Sequence, residues 1–109
     1  MKSITLKIWP QYYQPIVTGE KKFERRKNDR DYQVGDQLLL REWDPKVYDD
    51  EVERVFGRRG TLVMESDGQK AAIVAKAYTG RSLVKTVSYI EEGPGFGLEA
   101  GFVVMGLKS

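Results

Sequence analysis

Gly19-Glu20-Lys21-Lys22-Phe23-Glu24-Arg25-Arg26 is the stretch on which the fold turns. Its glycine is a helix-stop signal, because a residue without Cβ takes the left-handed C′ conformation at little steric cost. Lys22 to Lys27 then reads as a strand, with Phe23 facing inward. Glu24 and Arg26 stand two apart, so on a strand both point to one face. Lys21 falls at the mouth where helix and strand meet. A carboxylate between two cations stays ionised at neutral pH, and it can accept hydrogen bonds from the exocyclic amine of a base while the cations hold phosphate or carbonyl oxygens. The plainer alternative is an ion-pair network that only fixes the strand, an exposed pair of that kind being worth ~0.2–1 kcal/mol.

Working outward, Ile4-Thr5-Leu6-Lys7-Ile8 alternates apolar and polar, the period of a half-buried strand, and Trp9-Pro10 ends it. Gln11 to Thr18 reads as a short helix in which Pro15 fits only within the first turn or if the helix begins later. Asn28 to Asp31 is turn chemistry, and Val34-Gly35-Asp36 turns into a strand from Gln37 to Trp43. Asp44-Pro45 closes that strand; Asp49 to Phe56 then reads as a helix capped by Asp49 or Asp50 and stopped by Gly57. Thr61 to Glu65 and Lys70 to Ala77 look like a hairpin around Ser66-Asp67-Gly68, followed by a strand at Leu83 to Ile90. A glycine-rich loop, Glu92 to Gly101, leads to the last strand, Phe102 to Leu107. The sum is about seven strands with one or two short helices, which predicts an α+β chain built as a small mixed barrel.

The chain has 109 residues, of which 40% are hydrophobic and 31% charged, fitting one domain with one modest core. It contains no cysteine and no histidine. Disulfides, thiolate metal sites and serine–histidine or cysteine–histidine catalysis are therefore excluded, and the usual zinc ligands are missing. No apolar run nears the ~18 residues of a membrane span, and Met1-Lys2-Ser3-Ile4-Thr5 lacks a signal-peptide core, so a cytoplasmic protein without membrane contact is expected. The net charge is only +2, yet residues 19–30 hold six bases and three acids. That concentration suits either a locally bound anionic ligand or a solvated, charged sheet edge.

The quoted stretch resembles the G-x-K-x-x-E-x-R signature of ASCH domains, a branch of the PUA-like superfamily. The likeness extends to Leu6-Lys7-Ile8 before Pro10, Arg26-Lys27-Asn28-Asp29-Arg30, Val34-Gly35-Asp36, Leu40-Arg41-Glu42-Trp43, Tyr78-Thr79-Gly80-Arg81 and Gly95-Phe96-Gly97-Leu98 before Gly101. Together these look like one small branch described as a domain of unknown function with RNA-binding-protein-like similarity. The resemblance covers roughly residues 4–43 and 78–107; residues 44–77 depart from it as an insertion within a single domain spanning 1–109. It implies a PUA-like mixed barrel of about five to seven strands with a helix beside it. It also implies a cleft between barrel and helix, lined by the signature, that takes RNA or a modified nucleoside. Some ASCH relatives are amidohydrolases that deacetylate N4-acetylcytidine, and others are ribonucleases. The amidohydrolases use a threonine nucleophile beside the lysine; Glu24 stands at that position here, so the covalent route is not carried over. A route in which Glu24 activates water and Lys21 polarises a carbonyl stays open.

The ligand-binding set expected from this reading is Lys21, Glu24, Arg26, Tyr78, Arg81 and Trp9, with Lys21 and Glu24 catalytic only if the protein is an enzyme. Arg81 offers a planar cation, Tyr78 and Trp9 stacking faces, and Trp43 reads as structural. The run Asp49-Asp50-Glu51-Glu53 lacks the spacing of a calcium loop, and the glycines at 93, 95, 97 and 101 form no phosphate loop. No metal and no cofactor is expected. Oligomeric state is not legible.

Overall fold

The computed structural model describes residues 1–56, 67–95 and 97–109. Alternation decides the first strand: in β1 (Ser3–Ile8) residues Ile4, Leu6 and Ile8 are buried and their neighbours exposed. β3 (Gln37–Trp43) lies parallel to it with Ile4 opposite Leu38, Leu6 opposite Leu40 and Ile8 opposite Glu42. Between them in sequence come α1 (Pro10–Thr18) and β2 (Phe23–Lys27). After β3 follow α2 (Pro45–Phe56), α3 (Asp67–Lys76), β4 (Tyr78–Glu92) and β5 (Phe102–Lys108). The sheet order is β1-β3-β4-β5-β2, antiparallel except for β1–β3. The fifteen-residue β4 pairs with β3 through its first part and with β5 through its last. The five strands thereby curl into a half-barrel, an α+β fold with three helices. Its core joins β1, β3, Val87, Val103, Met105 and Leu107 to Tyr13 and Ile16 of α1.

The curl brings the two sheet edges, β1 and β2, toward each other. The Arg26 guanidinium on β2 donates to the Lys7 carbonyl on β1 at 2.6 Å, a side-chain stitch across the open seam. β2 corrects the expectation for Phe23, which is 50% exposed, while Glu24 is 4% exposed. The register explains it: Glu24 pairs with Met105, which is fully buried, so Glu24 must share the inner face. Phe23 pairs with Gly106, which has no side chain to cover it.

Pro15 lies inside α1, not in its first turn. The helix is held instead by Tyr13 and Ile16 in the core and by its ends. Trp9 starts it, its carbonyl accepting from the Tyr12 and Tyr13 amides; Gly19 closes it at φ 84°. The helix before Gly57 begins earlier than expected, at Pro45, because Asp44 is the cap: its carboxylate accepts the Lys46 amide at 2.9 Å. The hairpin expected over 61–77 is overturned in its second half. Gln69 to Lys76 carries three alanines and belongs to α3, whose Ile73 is buried. Thr61 to Glu65 lies outside the described residues. The two helices are tied by Glu51, which accepts from Arg54 and from Lys76 (2.7 Å); these hydrogen bonds hold its carboxyl at about 2. No described helix is long and apolar enough to cross a membrane.

One buried carboxylate anchors the start of β3. Asp36 is 1% exposed and accepts from the amides of Lys2 (3.0 Å) and Gln33 (2.9 Å) and from the Lys2 ammonium (2.8 Å). Burial alone would raise its pKa, but these three donors together lower it from 3.8 to about 2. The folded state is therefore favoured above pH 3.8, and that contribution is lost as the pH falls through about 2. Replacing Asp36 with Ala leaves buried donors unmatched and is expected to cost about 2 kcal/mol. In thermal melts at neutral pH this is a fall in Tm of about 10 °C, shrinking toward acid pH.

Candidate functional site: a cationic cleft at the seam

Where β1 and β2 face each other across the stitch, a cleft of about 510 Å³ opens beside the start of α1. That volume lies within the ~300–1,000 Å³ usual for small-ligand sites. Lys7, Lys21, Arg25, Arg26 and Lys27 line it, with Glu24 the single carboxylate among the described residues. Trp9, Tyr12 and Phe102 supply rings to the lining.

At its floor Glu24 accepts from Lys21 Nζ at 3.1 Å through one oxygen, and from Arg26 Nε at 2.9 Å through the other. The Arg26 guanidinium thus makes two bonds at once, to Glu24 on its own strand and to the Lys7 carbonyl on β1. Lys21 is positioned by backbone: its amide donates back to the Pro15 carbonyl at 3.0 Å, wrapping the chain around the end of α1. Its ammonium lies over the Tyr12 ring at 4.9 Å and 5.6 Å from the Phe23 ring. Trp9 and Tyr12, one helical turn apart, stack at 6.3 Å between centroids and 24° between planes. Trp9 is 45% and Tyr12 47% exposed, so the pair forms an open aromatic shelf next to a charged floor. Nearby, burial raises the Tyr32 phenol above its ordinary value, against the pull of Arg26, so it stays protonated at neutral pH.

Four of the six expected ligand-binding residues, Lys21, Glu24, Arg26 and Trp9, therefore meet in one cleft. Tyr78 and Arg81 stand elsewhere. Tyr78 is covered by the Arg41 guanidinium at 3.8 Å. Arg81 donates to Gln14 at 2.9 Å, lies over the Tyr13 ring at 4.7 Å and approaches Glu42 at 3.7 Å. It ties β4 to α1, and Thr79 completes that cluster by donating to the buried Glu42 at 2.7 Å. Register accounts for the separation: β4 pairs with β3 at this level, on the far side of the sheet order from β2. Trp43 is structural, its indole N–H donating to the Val74 carbonyl at 3.0 Å.

Sequence reading missed Lys7, Tyr12, Arg25, Lys27 and Phe102. The signal for Tyr12 was its spacing of three from Trp9. Phe102 pairs directly with Lys27, a contact of register that needs the sheet order to be seen.

The curled five-stranded sheet thus carries a cationic, aromatic-rimmed cleft at its seam. The chain belongs to the family described as a domain of unknown function, DUF3850, whose model matches residues 4–107. It is also similar to the "Uncharacterized 12.9 kDa protein in GpA 3'region" of Escherichia phage P2, 40% identical over 43 residues. That match spans 39% of this chain and 39% of the phage protein's own length.

Proposed function

We propose that this chain is an ASCH-like, PUA-type domain that binds RNA or a modified nucleoside in the seam cleft. The observation that carries the reading is the convergence of Lys21, Glu24 and Arg26 on one open hollow beside exposed rings. Each Glu24 oxygen accepts one protein hydrogen bond and keeps a lone pair for the amine of a base. Trp9 and Tyr12 offer the stacking face that single-strand binders use, worth ~1–3 kcal/mol per base. The excess of cations over Glu24 supplies the charge that phosphates require.

Binding is favoured over hydrolysis of N4-acetylcytidine-type nucleosides or of RNA. The threonine nucleophile of the deacetylating relatives is replaced by Glu24, so the covalent route has no hydroxyl at that position. Incubation with N4-acetylcytidine and with a short RNA, followed by product analysis, is expected to return both unchanged.

The test of binding is a titration of single-stranded RNA at several salt concentrations. If about three phosphates are neutralised, log affinity falls against log salt with a slope near −2. A slope near zero with retained nucleoside binding assigns the cleft to a small ligand. Failure of both RNA and nucleosides to bind overturns the reading and leaves a protein-interaction module.

A further inference from the structure

The cleft does not stop at the inner face of β2. Glu24 and Arg26 point inward, whereas Arg25 and Lys27 point outward and are exposed, yet all four line it. A cavity lined by both parities of an edge strand wraps over that edge. On the outer side the register sets Lys27 opposite Phe102, and the Arg25 guanidinium lies over the Phe102 ring at 4.8 Å. Neither Arg25 nor Lys27 has a carboxylate partner among the described residues. Glu91, on β4 beyond the intervening β5 and level with Arg25 through Val104, accepts the Tyr89 hydroxyl at 3.0 Å. The outer face thus offers two cations with no carboxylate between them, beside an aromatic ring.

We infer that the cleft's ligand is a single-stranded polynucleotide, and that it leaves the cleft across the edge of β2 to lay its next residues on Arg25, Lys27 and Phe102. This rests on the base-binding reading of the cleft given above. An isolated nucleoside has no group for Arg25 and Lys27; a strand brings them phosphates at each step. Guanidinium and aromatic side chains accept any base, so this outer track adds affinity and length dependence, not sequence choice.

The experiment compares the unmodified chain with the Arg25→Ala/Lys27→Ala double variant, whose altered side chains are exposed and make no hydrogen bond to a carboxylate. Thermal melts establish that both fold. Probes are the four nucleosides and mixed-sequence RNA oligomers of two, four and eight nucleotides, with the deoxy octamer and polyglutamate alongside. The inference predicts affinity rising with length. It also predicts that the double variant loses about tenfold for the octamer and far less for nucleosides, its salt slope flattening by about 1.4. The deoxy octamer shows whether the strand is RNA alone or either nucleic acid. Nucleosides binding as tightly as the octamer, or an octamer indifferent to the double variant, overturns the inference and leaves the cleft reading standing. No binding of nucleosides or oligomers by the unmodified chain removes both, and polyglutamate binding in their place assigns the surface to an acidic protein.

Discussion

Replacing Glu24 with Ala is expected to lower stability by about 3 kcal/mol, the lower end for breaking a buried ion pair. The carboxylate is 4% exposed and both of its oxygens are engaged, so its removal leaves Lys21 and Arg26 facing each other without a counter-charge. Because both cations keep some access to water, the cost stays near that lower end. Denaturant titration reads it as a lower midpoint at unchanged m-value. Glu24→Gln keeps the shape and separates stability from recognition. An amide donates as well as accepts, so discrimination between bases that carry an exocyclic amine and those that do not collapses by about tenfold. Affinity for RNA as a polyanion stays or rises, since one negative charge has been removed from a cationic cleft.

The second large effect falls at Arg26, and its informative variant is Arg26→Lys. Charge is retained, but one ammonium cannot bridge as the guanidinium does, with Nε on Glu24 at 2.9 Å and the terminal nitrogen on the Lys7 carbonyl at 2.6 Å. The stitch between β1 and β2 opens on one side. We expect a loss of about 1.5–3 kcal/mol, the range for a hydrogen bond to a charged group. Amide hydrogen exchange should quicken in β1 and β2, the two strands at the sheet's edges, more than in β4 at its centre. Unaltered exchange at both edges would show that the seam is closed by something other than this side chain.

The parts of the fold that were legible in the sequence are those where local chemistry agrees with tertiary demand. Gly19 stops a helix wherever it stands, and the alternation from Ile4 to Ile8 buries one face whatever sheet receives it. Glu24 and Arg26 share a face because a strand allows nothing else. Which face they share was not legible. Phe23 is the more apolar side chain, yet burial of Met105 on β5 fixes the parity and sends the glutamate inward. The stretch around Lys70 to Ala77 failed for a related reason. Short apolar runs such as Ala71-Ala72-Ile73-Val74 fit a strand or a helix equally, and the contact with α2 through Glu51 and Lys76 selects the helix. The candidate site divides along the same line. Residues grouped by one motif, Lys21, Glu24 and Arg26, met in space; Tyr78 and Arg81 came from a separate motif, and the sheet order carries them away from β2.

The most direct measurement uses the two tryptophans. Trp9 lines the cleft, whereas Trp43 is not in its lining and its indole N–H is tied to the Val74 carbonyl. In a nitrogen–proton correlation spectrum of the chain titrated with single-stranded RNA, the Trp9 indole signal should shift and the Trp43 signal should stay. Backbone signals of residues 21 to 27 should move with Trp9. Shifts confined to the surroundings of Tyr78 and Arg81, with Trp9 unmoved, would contradict the account.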